Sequence, residues 1–134
     1  MKKSSIVIWL VSLFLFSGCV PTYYNWNSYY DALHNYYKNP GEREKFIKVL
    51  ATIIAKGEKS NKVPPGIYAE YGYMFYETGN YVEAIKYFNK EREKYPESIF
   101  FMEKMIRNAK MSIEKAENIN KVIESVPVEE NKNN

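Results

Sequence analysis

Very few residues in this chain could do chemistry. Cys19 is the only cysteine among 134 residues, so one copy can form neither an internal disulfide nor a cysteine-based metal site. His34 is the only histidine. With no cysteine or second histidine to share a metal, it reads as a partly exposed helix residue. No serine sits in a nucleophile elbow, no glycine-rich loop could cradle phosphate, and no paired-histidine zinc motif occurs. Glu129 and Glu130 lie in a polar C-terminal stretch, and Glu42 and Glu44 lie among lysines at a helix start. Both pairs read as solvated charge rather than catalytic carboxylates. The expectation is a non-enzymatic protein with no catalytic residue, metal, cofactor or small-molecule substrate. The formal charge is +3, and it falls near neutral once Lys2 and Lys3 are set aside. That leaves no electrostatic footprint for nucleic acid.

Cys19 is singled out by what precedes it. Met1 to Ser5 is a short positive segment. Ile6 to Phe16 is an apolar run too short to span a bilayer, which needs about 20 residues, but of the length of a secretory h-region. The run closes in Leu15-Phe16-Ser17-Gly18-Cys19, which resembles the lipobox of bacterial lipoproteins, with Phe16 where leucine is commoner. The resemblance implies a thioether-linked diacylglycerol on Cys19, cleavage after Gly18, and acylation of the new amino group. Two or more acyl chains anchor a protein stably at about 0.8 kcal/mol per buried methylene. In the sorting logic of such lipoproteins, Val20 rather than aspartate after the cysteine implies the outer membrane of a Gram-negative cell, on its periplasmic face.

The elements that follow read as helices. Trp26, Tyr29, Tyr30, Leu33 and Tyr37 recur on one helical face, and Asn39-Pro40-Gly41 stops it. A second helix covers 42–57, with Phe46, Val49, Leu50, Ile53 and Ile54 inward and Gly57 as its C-terminal cap. Pro64-Pro65-Gly66 opens a third. From about Glu97 a long helix carries Ile99, Met102, Ile106, Ala109, Ile113, Ala116 and Ile123 at alternating spacings of three and four, with Asn120 in the same series. It is either a cap on the open end of a helix stack or a coiled-coil seam with Asn120 setting register. The Asn/Glu/Lys-rich end reads as a disordered tail.

Residues 65–98 look like a tetratricopeptide (TPR) repeat. With Pro65 as position one of 34, Tyr68, Tyr71, Gly72, Phe75, Gly79, Tyr81, Ala84, Phe88 and Pro96 fall in register with that motif. Gly72 and Ala84 would be small because two antiparallel helices approach closely there. Glu91 stands where the motif prefers alanine, which suggests a looser contact with the next helix. The 13 tyrosines must either pack between helices or form a binding face. Tyr68, Tyr71 and Tyr81 fall at repeat-core positions. Ala69, Tyr73 and Tyr76 fall where TPRs line their concave face, and are the candidate partner-binding residues. Either they are open to a partner or the C-terminal helix covers them. Ala69 and Tyr73 replace the Lys/Asn pattern of carboxylate-clamp TPRs, which argues against recognition of an acidic C-terminus.

The expected architecture is all-α. A lipoprotein signal peptide (1–18) and lipidated tether (19–25) precede a TPR-like domain (26–124) of about five helices in antiparallel pairs, with a long C-terminal capping helix and a tail (125–134). Over nearly its whole length the chain resembles a family of small, uncharacterised lipoproteins. The features that carry it are the lipobox, Trp26-x-x-Tyr29-Tyr30-x-x-Leu33, Lys38 to Glu42, Val63 to Gly66, Gly79-Asn80-Tyr81 and Tyr95 to Ser98. Members tend to be encoded beside a lipoprotein similar to the curli-secretion channel, which implies envelope proteins as partners. The expected function is a lipid-anchored adaptor for protein–protein interaction in a cell-envelope assembly, attached to the membrane through Cys19. The alternative is a structural lipoprotein that binds peptidoglycan directly.

Overall fold

Each helix boundary has a local chemical cause. The computed structural model describes residues 23–26 and 28–125; the expected signal peptide, Cys19, Val20 and residues 126–134 of the expected tail lie outside the described residues. Among those described there are five helices and no strand: α1 (Tyr29–Lys38), α2 (Arg43–Ser60), α3 (Ile67–Glu77), α4 (Tyr81–Lys94) and α5 (Ile99–Ser125). None is long and apolar enough to cross a membrane. The Asn39 side chain accepts from the Gly41 amide at the 3₁₀ turn that separates α1 from α2. Asn80 caps α4 by accepting from the Glu83 amide at 3.3 Å. Tyr95 closes α4, and Pro96 opens the 3₁₀ turn before α5. As the periodicity required, the fold is all-α with a long C-terminal helix.

Helices adjacent in sequence pack on one another throughout. Two apolar cores result. The first joins α1, α2 and α3 through Tyr29, Phe46, Leu50, Ile53, Val63, Ile67 and Met74. Two polar clamps fix the same three helices. The Tyr29 hydroxyl donates to the Glu70 carboxylate at 2.6 Å, and the Arg43 guanidinium donates to the Met74 carbonyl. The second core joins α4 and α5 through Ala84, Phe88, Met102 and Ile106, with Ala69, Phe75 and Tyr76 of α3 against its edge. Gly72 is small for the expected reason. A β-carbon there would lie 3.0 Å from the Phe88 ring and 3.1 Å from the Ala84 carbonyl oxygen.

Four expectations need correction. On α1 the inward face is Tyr29, Ala32, Leu33 and Tyr36; Tyr30 and Tyr37 point outward, Tyr37 being 86% exposed. The α2–α3 groove meets only one side of this ten-residue helix, so four aromatic positions cannot all be buried. Gly57 is not a cap, because α2 runs on to Ser60 and ends at Asn61, in the left-handed region at φ 55°. Gly57 is small because the Val63 backbone passes 2.7 Å from where its β-carbon would be.

The third correction concerns Glu91, which loosens nothing. It is 2% exposed and accepts from the Gly66 amide at 2.7 Å and the Ala69 amide at 3.3 Å, with the Tyr68 amide also bonded to it. The Ile67 amide bonds to the Pro64 carbonyl. Those four amides are the ones a helix start leaves without intrahelical partners. Gly66, at φ 86°, offers no side-chain cap, so a carboxylate from α4 supplies it. Burial raises the Glu91 pKa, and the three amide bonds oppose that rise.

The fourth concerns α5. Its inward series holds only through Met102, Ile106 and Ala109, with Ile113 half-buried; Ile99, Ala116, Asn120 and Ile123 are exposed. The reason is length. At about 1.5 Å per residue, the 27-residue α5 is roughly 40 Å long and the 14-residue α4 roughly 21 Å. The neighbour ends halfway along, so α5 caps the second core and then continues uncovered among the described residues.

Candidate functional site

Helix α3 distributes its aromatic residues over three faces. Tyr68 is buried. Tyr71 and Phe75 are half-buried and meet Tyr87 of α4, with Phe75 and Tyr87 stacked at 5.8 Å. Lys86 and Lys90 lie over this cluster, and Lys90 also pairs with Glu58 at 2.7 Å, a contact that holds the Glu58 carboxyl below its usual range. These rings pack between α3 and α4.

Tyr73 and Tyr76 stand apart from that cluster. They are three residues apart on one face, and their rings stack at 6.3 Å with planes 13° apart. Tyr73 is 43% exposed. The nearby Glu77 carboxylate, which its hydroxyl also bonds, raises its pKa. Tyr76 is half-buried and meets the edge of Tyr81 at 5.3 Å. Ala69 occupies a different setting. It is half-buried against the second core, and its amide is held by Glu91. The three candidate residues are therefore split: Tyr73 faces outward, while Tyr76, stacked on it, and Ala69 pack against the α4–α5 layer.

Helix α5 forms the other wall. Tyr76, Asn108, Met111, Ser112 and Lys115 line an open cavity of about 390 Å³ between the end of α3 and the middle of α5. The Ser112 hydroxyl donates to the Asn108 carbonyl and is thereby held against its own helix. Past Met111 the wall becomes the uncovered half of α5, where Ile119, Val122 and Ile123 are exposed. Stacked aromatics, a thioether, one lysine and an apolar helical strip make a surface suited to an apolar or aromatic-bearing segment of another chain. Met111, Lys115, Ile119 and Val122 belong to it and were missed from sequence. Their signal was weak: they fall beside the three-and-four series of α5 rather than in it.

His34 is exposed on α1, and Glu42 pairs with Lys45 at 2.6 Å on the surface. Among the described residues, no group of three or more histidine, cysteine, aspartate or glutamate side chains could hold a metal ion.

Residues 23–105 match the family described as "Domain of unknown function (DUF4810)". No curated protein and no solved structure matches the chain.

Proposed function

The chain belongs to that DUF4810 family, and we propose that it is a lipid-anchored, non-enzymatic adaptor whose TPR-like helix pairs hold a partner protein in a cell-envelope assembly. The observation that carries this is the cleft between α3 and α5, where Tyr76, stacked on the exposed Tyr73, lines a cavity with Met111 that opens onto an uncovered apolar helix face. Monomeric proteins rarely leave such contiguous apolar surface without a use. The α3–α4 pair, with Gly72 against Ala84 and Phe88, supports the TPR-like reading. The lipobox at Ser17-Gly18-Cys19 supports the anchor, and Val20 supports the outer membrane. A lipoprotein similar to the curli-secretion channel is a candidate partner through the family resemblance.

The test is a pull-down from envelope extracts with the lipidated protein and its Tyr73→Ala/Tyr76→Ala variant. Aromatic anchors at an interface centre commonly cost about 2 kcal/mol or more when cut to alanine, roughly thirtyfold in affinity. The variant should keep its fold by circular dichroism and lose the partner. A folded variant that retains every partner contradicts the proposed site. Sedimentation of both proteins with isolated sacculi, with no protein partner, would favour direct peptidoglycan binding instead.

A further inference from the structure

The chain enters the described structure beside the start of α5. The Lys62 ammonium sits 4.4 Å from the Tyr23 ring centroid. Tyr24 hydrogen-bonds Tyr95, whose hydroxyl donates to the Val63 carbonyl. Tyr95 also accepts from the Ser98 amide at 2.9 Å and the Ser98 hydroxyl at 2.7 Å. That closes the turn leading into α5, so Tyr24 and the start of α5 are both tied to Tyr95. Phe100 and Phe101 are among them, 83% and 58% exposed. Neither serves the second core, which α5 reaches through Met102 and Ile106. Two adjacent exposed phenylalanines at a helix start, with Lys104 a turn further on and the carboxylates of Glu97 and Glu103 on the same stretch, can place rings at an acyl boundary and an ammonium group among anionic headgroups.

The tether limits where that bilayer can be. Three residues lie between Cys19 and Tyr23, and an extended chain spans at most about 3.6 Å per residue step, or roughly 14 Å over the four steps. If Cys19 carries the lipid, as proposed above, the membrane surface lies within that distance of Tyr23. We propose that Phe100 and Phe101 insert into the leaflet that holds the Cys19 lipid, giving the domain a second membrane contact and a fixed orientation. This inference rests on the lipid-anchor reading. Along α5, Met111 lies about 17 Å and Val122 about 33 Å from Phe100. With α5 rising from the bilayer, docking by Phe100 and Phe101 would hold the Tyr76–Met111 cleft off the membrane and open to a partner.

The test uses the full lipidated protein in vesicles of phosphatidylethanolamine and phosphatidylglycerol. Single tryptophans are placed by Phe100→Trp and, as a control on the outward face of α1, by Tyr37→Trp, both in a Trp26→Phe background; Trp9 leaves with the signal segment. Fatty-acid labelling and vesicle flotation report the anchor separately. The expected result is a labelled, floating protein in which brominated lipids quench position 100 with a blue-shifted emission and leave position 37 unchanged. A labelled, floating protein with equal, unquenched emission at both positions overturns the insertion and leaves the anchor standing. A Cys19→Ser chain that is retained on membranes as fully as the unaltered one, or an unaltered chain that takes up no label, overturns the anchor and with it this inference.

Discussion

Replacing Glu91 by alanine should lower stability by about 3 kcal/mol, a fall in melting temperature of roughly 12–24 °C for a domain of about 100 residues. The side chain is buried and accepts from the amides of Gly66 and Ala69, with that of Tyr68 also bonded to it. Removing it leaves the first turn of α3 with orphan donors that Gly66 cannot satisfy. Hydrogen bonds to a charged acceptor contribute about 1.5–3 kcal/mol, and an unsatisfied buried donor costs about 1–3 kcal/mol. Glu91→Gln should fall between, because one acceptor oxygen remains and an amide NH2, which can only donate, replaces the other. Glu93→Ala, at an exposed position on the same helix, should change little. Thermal melts by circular dichroism decide, and a Glu91→Ala midpoint equal to that of Glu93→Ala would contradict the capping role. The pH dependence has a definite sign. Burial raises the carboxyl pKa of both Glu91 and Glu70, so the folded state holds these protons more tightly than the unfolded state. Their contribution to stability is present below the unfolded pKa and lost as pH rises through the folded one. The melting temperature of the unaltered protein should therefore gain from these two groups on mild acidification, and Glu91→Gln should reduce that gain.

Gly72→Leu should be at least as damaging. A β-carbon at Gly72 already crowds the Phe88 ring at 3.0 Å and the Ala84 carbonyl at 3.1 Å. The carbonyl belongs to helical backbone and cannot yield without moving α4. Over-packing a tight contact costs typically 1–3 kcal/mol, more where the backbone itself is in the way. Because α4 also supplies Glu91, a shift of α4 withdraws the cap from α3, and the two losses should couple rather than add. Ala84→Leu attacks the same contact from the other side, since Ala84 is fully buried. The expected outcome for either variant is a melting midpoint lower by 10 °C or more, by about the same conversion. Two unchanged midpoints would remove the close α3–α4 approach from the account.

The parts of the fold that could be read in the sequence rest on strong local physics. Gly72, Ala84, Phe88 and the Gly79-Asn80 turn are spaced as a close helix pair demands, and the structure places Gly72 against Ala84 and Phe88. The long apolar series from Ile99 marked α5 correctly as a long helix. What failed was long-range. Nothing local tells that Val63 folds back onto Gly57, so the glycine resembled a cap. Nothing local tells that the amides after Pro64-Pro65-Gly66 have no cap of their own and recruit Glu91 from 25 residues away. The missing serine, threonine, aspartate or asparagine before that helix was the available clue. The candidate site was half legible. Helical spacing brought Tyr73 and Tyr76 together, but their facing wall depends on where α4 ends against α5, a relation between helix lengths rather than between residues.

The adaptor reading is tested most directly by crosslinking from inside the cleft. A photo-crosslinking amino acid in place of Met111, which lines the cavity beside Tyr76, is compared in intact cells with the same group in place of Tyr37, exposed on α1. The expected result is a discrete protein adduct from position 111 that disappears when Tyr73→Ala/Tyr76→Ala is added, and no such adduct from position 37. No adduct from position 111, or one that survives the double variant unchanged, would contradict it.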